Sequence, residues 1–378
     1  MVFKSSARVL ATCAGVMAVV LAIAPLSAAP SVAQDAADPS LAGALREAWL
    51  SHPAAAATRA TLAAARARAD AAAQPLYNPE AELAYDDDGD RTATAGLSLT
   101  LDVSGKRAAR AAAGAAELGV IEAQARLRRS VFARQWLLGW AEYRAASRKV
   151  AQGLQRLELM QRFAALAEKQ LSVGDVSTLE RDLALLARDE AQAEQATLEA
   201  DAASALETFR AVGGTPDAAA LELAAEPPSL TRPEGWSPDR LPEAVLAAAG
   251  TLSAQQRVQV AESDRRPDPT LGLSAGRIDF GPTSDNVLGL TLSVPIFVRN
   301  SYAAEVSAAR ADADSAAAEQ QLVLFELEAR AERALGTYNA MHGAWQRWSR
   351  SSGTDAASRA ELLERLWRAG ELSTADYL

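Results

Sequence analysis

The chain repeats itself, and that internal duplication restricts its fold more than any other feature. Leu45-Arg46-Glu47-Ala48 returns as Leu241-Pro242-Glu243-Ala244, and Tyr77-Asn78-Pro79-Glu80 as Pro267-Asp268-Pro269-Thr270. Gly96-Leu97-Ser98-Leu99-Thr100-Leu101 returns as Gly289-Leu290-Thr291-Leu292-Ser293-Val294, and Val173-Gly174-Asp175-Val176-Ser177-Thr178 as Ala369-Gly370-Glu371-Leu372-Ser373-Thr374. The offsets are 196, 190, 193 and 196, in order along the chain. Four matches in register exclude coincidence and define two copies of one structural unit.

Each copy reads as a short helix, two strands and a very long helix. The helices are expected at about 40–74 and 241–265, and the long ones at about 105–172 and 301–368. Proline supports this, for none occurs between Pro79 and Pro216 or after Pro295, and proline breaks a helix interior. Alanine-rich, charged stretches fill these segments, as closely packed helices require. Such a helix measures on the order of 100 Å at 1.5 Å per residue. In the first copy a second helix, about 178–211, turns back after Gly174. Between the copies, 213–240 has the composition of a linker, with Gly213-Gly214 and prolines at 216, 227, 228, 233 and 238. The first copy is thus set at 34–212 and the second at 241–378. The second is expected to lack the returning helix, since only four residues follow Thr374.

The strands, about 80–103 and 270–297, alternate with period two. Ala93, Ala95, Leu97, Leu99, Leu101 and Val103 share one face, opposite Thr94, Gly96, Ser98, Thr100 and Asp102. Leu288, Leu290, Leu292, Val294 and Ile296 oppose Gly289, Thr291 and Ser293. One apolar face suits any antiparallel sheet over a core. Two details favour a membrane barrel: the length of about ten residues and a second face that is small and polar. Polar tips (Asp86-Asp87-Asp88-Gly89-Asp90, and around Asp285) agree. Four strands cannot close a barrel, and an open edge in lipid leaves backbone groups unpaired. On this reading the chain must oligomerise, and a trimer would supply twelve strands.

The first 33 residues have the layout of a secretory signal: Lys4 and Arg8, an apolar stretch from Val9 to about Leu26, then small residues before Gln34. Its removal moves the formal charge from −10 to about −12 and takes away Cys13, the only cysteine. The acidic balance argues against nucleic acid as a partner. No later segment has about 18 continuous apolar residues, the requirement for a membrane helix. His52 and His342 lie far apart with no ligand spacing around them, so neither a metal site nor a cofactor is expected. The aspartate-rich hairpin tip lacks the spacing of a calcium loop. Trp136, Trp140 and Tyr143, like Trp345 and Trp348, sit at helical spacing and read as packing. Lys106-Arg107 and Arg299 are expected to snorkel at a bilayer surface, and Ser104 and Asn300 to cap helices.

The two strand–strand–long-helix units, Gly-Leu-Ser-Leu-Thr-Leu-Asp-Val-Ser-Gly-Lys-Arg at 96–107 and Leu-Ser-Val-Pro-Ile-Phe-Val-Arg-Asn at 292–300, resemble the TolC family of outer-membrane efflux proteins. The wording is similar to the branch serving cobalt–zinc–cadmium and copper–silver resistance. The resemblance implies a mostly α fold with membrane β: a homotrimer with a twelve-stranded barrel in outer-membrane lipid and a periplasmic α-helical barrel. It also implies a passive conduit rather than an enzyme, served by an inner-membrane proton-driven pump and a periplasmic adaptor. Metal specificity would then rest with the pump. The helix turns resemble the family's periplasmic tip, which makes Gly174, Asp175, Glu180, Gly370, Glu371 and Asp376 the candidate gate residues. Glu180 and Asp376 stand six residues after the two glycines, where a trimer would form rings of carboxylates; a helix-start role is the alternative. Two alternatives are a soluble periplasmic adaptor with a helical hairpin, whose two flanking half-motifs of a small β-domain are not found in the sequence, and an outer-membrane duct for protein secretion, which shares the fold.

Overall fold

The computed structural model describes residues 40–87, 91–219 and 228–352, and from the C-terminal stretch 362, 363, 365, 366, 369 and 371. The segment expected to be a signal lies outside them. The described elements belong to one unit running from Pro39 to Leu378.

Where one N-terminal helix was expected over 40–74, there are two: α1 (Leu41–Ser51) and α2 (Pro53–Ala72). Pro53 is the cause. The residue before a proline is pushed out of the helical region, and His52 is extended at ψ 139°. Its Nδ1 accepts a hydrogen bond from the Ala54 N–H at 3.1 Å, so the histidine starts α2 as its cap. After β1 (Glu80–Asp87) and β2 (Arg91–Thr100), α3 runs from Lys106 to Val173 and α4 returns from Thr178 to Ala211. The described part of the linker carries a short turn of helix, α5 (Pro216–Ala219), and a 3-10 turn at Pro238–Arg240. Then α6 (Pro242–Asp264), β3 (Thr270–Asp279), β4 (Ser284–Ser293) and α7 (Ala303–Ser352) repeat the order of the first half.

All four strands join one antiparallel sheet in the order β1-β2-β3-β4, so the two copies meet at the β2–β3 pairing. The second hairpin turns earlier than its alternation suggests. Its tip is Phe280–Thr283, with Gly281 at φ 76°, and Asp285 already pairs with Ile278 inside the ladder.

The helices form the core. Within it α3 packs on α2, α4 and α6, and α6 on α7. Trp136, Trp140, Phe132 and Phe209 meet Trp49, Ala48 and Ala55 in one buried cluster. The rings of Trp136 and Phe209 stand edge to face at 5.2 Å, a geometry favoured by their quadrupoles. Gly139 lets α4 approach, since a Cβ there would lie 3.3 Å from the Phe209 ring. Closer to the α3–α4 turn, Phe163, Ala167 and Ala184 make a second cluster. The first aromatic stripe is therefore packing, as its spacing suggests. In the second, Trp345 is half-buried and stacks on His342 with ring centroids 6.1 Å apart, while Trp348 is 61% exposed.

Polar contacts tie α6 to both long helices. Arg257 pairs with Glu117 of α3 at 2.8 Å, and Arg310 of α7 with Glu262 at 2.6 Å. The linker is held as well: Arg232 pairs with Glu328 and Glu332 of α7 and lies 4.4 Å from the Trp236 ring. Replacing Phe209 by alanine opens a cavity where no neighbour can follow. It should cost about 3–5 kcal/mol, measurable as a lowered denaturant midpoint of the helical signal in detergent.

Candidate functional site

Three places on the chain bear on function: the sheet, the junction beneath it and the turn at the far end of α3. The sheet is inside-out. Its registers line the large apolar residues up in rows, such as Ala81–Leu97–Leu273–Leu290 and Leu83–Ala95–Ala275–Leu288. These rows are exposed: Leu83 by 85%, Leu290 by 75% and Leu288 by 76%. In β2 and β3 it is the small polar residues that are partly covered. Their face curves around a cavity of about 250 Å³ lined by Glu82, Ser98, Ser274 and Thr291 among others. A sheet in water hides its apolar face and wets the other; here the greasy side is convex and bare.

Charge is divided unevenly between the faces. The registers put Glu80, Glu82, Asp86 and Asp285 on the small polar face. Arg91 and Arg277 lie on the apolar face close to the hairpin tips, each paired there with an aspartate, Asp87 and Asp279. Among the described strand residues, the concave face thus carries carboxylates and no basic side chain.

Beneath the strands, Asp268 joins the two copies. Its Oδ2 lies 3.1 Å from the Lys106 Nζ and accepts the Tyr77 hydroxyl at 3.0 Å, and its Oδ1 accepts the Ser104 N–H at 3.2 Å. The carboxylate side chain is only 2% exposed. Burial works against its charge, but the bonds from Ser104, Lys106 and Tyr77 prevail and hold its pKa below the ordinary value. Burial, then the bond to Asp268, pushes the Tyr77 hydroxyl up to about 12, so it stays a donor at neutral pH.

This network corrects two expectations. Lys106 does not snorkel, because its ammonium is buried against Asp268. Ser104 does not cap α3 either; its hydroxyl donates to the Pro267 carbonyl at 3.3 Å. The cap is Asp102, whose two carboxylate oxygens accept from the Lys106 and Arg107 N–H groups at 2.8 Å each. Arg107 in turn reaches back to the Ala73 carbonyl. In the second copy Asn300 accepts from the Tyr302 N–H at 2.9 Å just ahead of α7. Both long helices begin after a residue at positive φ, Gly105 at 73° and Tyr302 at 53°.

At the far end, Gly174 closes α3 in the left-handed region at φ 83°. The Asp175 N–H then bonds to the Gln170 carbonyl at 3.0 Å. The same bond recurs 196 residues on, from the Glu371 N–H to the Leu366 carbonyl at 3.0 Å. Asp175 and Glu371 are exposed. Gly370 and Asp376 lie outside the described residues. Glu180 is engaged locally: its carboxylate accepts from the Ser177 N–H (2.7 Å) and hydroxyl (2.8 Å), and its own N–H donates to that hydroxyl. This capping box lowers the Glu180 pKa, the backbone bond contributing most. Among the described residues no group of three His, Cys, Asp or Glu is placed to hold a metal, and no helix is long and apolar enough to cross a membrane.

Asp268 escaped sequence reasoning because proline on both sides made it read as a turn. The repeat alignment, which sets it against Asn78, was the available signal.

No protein-family model matches the chain. The nickel-cobalt-cadmium resistance protein NccC of Alcaligenes xylosoxydans is 27% identical over 248 residues, covering 64% of this chain and 55% of its own length. The chain thus spans little more than half of that curated relative. Solved structures match over more of it. A membrane protein from Pseudomonas aeruginosa superposes with a TM-score of 0.72 at 20% identity, over 90% of this chain and 86% of its own. The outer-membrane protein VceC of Vibrio cholerae gives 0.68 at 19%, over 89% and 88%. The CmeC outer-membrane channel of Campylobacter jejuni gives 0.69 at 14%, over 89% and 78%.

Asp268→Ala leaves a buried ammonium without its partner and should destabilise the chain by about 3–5 kcal/mol. Adding Lys106→Met should recover part of that loss in a double-mutant cycle of unfolding midpoints. Because the folded Asp268 pKa is depressed, its contribution is present above about pH 4 and fades as acid protonates it. At the turn, Ser177→Ala removes the capping box and should cost about 1 kcal/mol of local stability. Amide exchange over the first turn of α4 should accelerate, and that over the middle of α4 should not.

Proposed function

We propose that this chain, which has the fold of the TolC-type outer-membrane channels, works as one: a subunit of a passive efflux duct. The observation that carries the reading is the inside-out sheet. A convex apolar face of ten-residue strands suits lipid, and a concave face of Ser, Thr, Gly and carboxylates suits a water-filled lumen. The two free sheet edges, β1 and β4, would be closed by further copies, three in all. The barrel would sit in the outer membrane, with α3, α4 and α7 extending into the periplasm. A periplasmic adaptor and an inner-membrane proton-driven pump would deliver the substrate.

Heavy-metal cations are the substrate class that best suits the chain. Similarity to a nickel-cobalt-cadmium resistance protein supports this, and so does the acidic concave face, which favours cations along a pore. Gly174, Asp175 and Glu180 of the first turn, with Gly370, Glu371 and Asp376 of the second, would form the periplasmic mouth. The capping box gives Glu180 a structural duty beside any part in gating, so Asp175 and Glu371, both exposed, are the better ring candidates.

Purified protein in planar bilayers should conduct with a reversal potential that reports cation preference. The double substitution Glu80→Gln and Glu82→Gln should move that potential toward zero while conductance persists. A protein that stays monomeric in detergent and never conducts would sink the duct reading; conductance with unchanged selectivity would remove the sheet carboxylates from it.

A further inference from the structure

The free edges of the sheet specify how one copy meets the next. We infer that β4 pairs with β1 of a neighbouring copy out of step, shifted by about four to six residues toward the base of the sheet. The inference rests on the duct reading and adds the register of its subunit contact.

Inside one copy the directly opposed residues form level rows, Ala81–Leu97–Leu273–Leu290 being one. If the ring closed level, Leu290 would meet Ala81 of the next copy and Leu288 would meet Leu83. The strands would then stand along the barrel axis. Closed barrels instead tilt their strands by about 35–45°, which demands a net shift around the ring. Three copies of a four-stranded sheet, with strands about 4.8 Å apart and about 3.3 Å per residue, need roughly 12 to 17 residues of shift in all. Shared equally, that is about four to six per copy. Each share must be even, because an odd slip would turn apolar side chains into the lumen.

The ends of the edge strands set the direction. Paired with β3, β4 stops at Ser293, opposite Thr270, where Pro269 precedes β3. Beyond Ser293 the chain leaves the ladder, but the sequence alternation continues through Val294 and Ile296, and Ile296 is 79% exposed. Pro295 lies between them, at the parity that pairs toward β3, so its missing N–H leaves the outer edge free to take a partner. β1 cannot grow the same way, since Pro79 precedes Glu80 and lacks an N–H to donate. Sliding β1 of the next copy onto the tail of β4 uses the spare length. A shift of four sets Leu292 opposite Leu83 of the next copy and Val294 opposite Ala81. A shift of six sets Leu292 opposite Tyr85 and Val294 opposite Leu83. In both cases apolar residues stay together and the acidic face stays inward.

Cysteine pairs in a Cys13→Ser background test the register. Leu292→Cys with Leu83→Cys, or Leu292→Cys with Tyr85→Cys, should oxidise to covalent dimers and trimers on non-reducing gels and revert with dithiothreitol. Within one copy β2 and β3 separate these positions, so a band above the monomer reports contact between copies. Leu288→Cys with Leu83→Cys should stay monomeric. Strong cross-linking of that level pair would overturn the shift and leave the duct reading intact. Absence of all three cross-links in a conducting preparation would also overturn the shift. Their absence in a preparation that never conducts would count against the duct reading itself.

Discussion

Every backbone N–H and C=O withdrawn from water must find a partner, and in this chain the four-stranded sheet is where that demand falls hardest. Two of its strands are satisfied on both sides. β1 and β4 are satisfied on one, and their outward faces are apolar along most of their length. An edge of this kind in water invites pairing with any available strand; in lipid it costs several kcal/mol for each bare group. The other properties of the sheet fit that requirement. The glycines and hydroxyls of the inner face take little room, and the two edge strands belong to different copies of the internal repeat.

The helices solve a different problem. A helix of 68 residues has no compact core to wrap, so it is stabilised by neighbours along its length. Small residues let the backbones approach, as Gly139 does against Phe209. Aromatic rings fill the one place where α1, α3 and α4 converge. Elsewhere the contacts are the smaller Phe163 cluster, alanines and exposed ion pairs, the last worth little alone. Stability is thus concentrated around Trp136 and Phe209, and the ends of the long helices depend on their caps: Asp102, the Ser177–Glu180 box and the left-handed Gly174.

What could be read from the sequence follows from the range of the interactions involved. Period-two alternation, proline placement and turn glycines are local signals, and they located the strands, α3, α4 and α6 to within a few residues. The kink at His52 was legible too, since Pro53 dictates it, but the surrounding alanines masked the break. Asp268 was not legible. Its partners Tyr77, Ser104 and Lys106 lie more than 160 residues away in the chain, and only the β2–β3 register brings them together. Ser104 misled for a related reason: hydroxyl and carboxylate caps are interchangeable in sequence, and Asp102 took the place because its backbone was free to curl back over the helix start. The sheet's acidic inner face lay between these extremes. Each carboxylate was visible, but assigning it to a face needed the registers.

The junction beneath the strands shows why a buried ion pair is kept where an apolar contact would be at least as stable. Ion pairs withdrawn from water gain little net energy, because desolvation offsets attraction. They are, however, intolerant of displacement. Asp268 sits at the entry to β3, Lys106 on the first turn of α3, and Tyr77 just ahead of β1. A shift of any one by a residue would strand a charge or a hydroxyl in a buried site, whereas leucines in the same places would slide and repack. The sheet and the long helices obey different periodicities and have no continuous element between them. A directional network at their meeting point fixes the angle at which α3 leaves the strands, and it does so across the boundary between the two copies. The duplication accounts for the similarity of the halves; Asp268 is what holds them in one register.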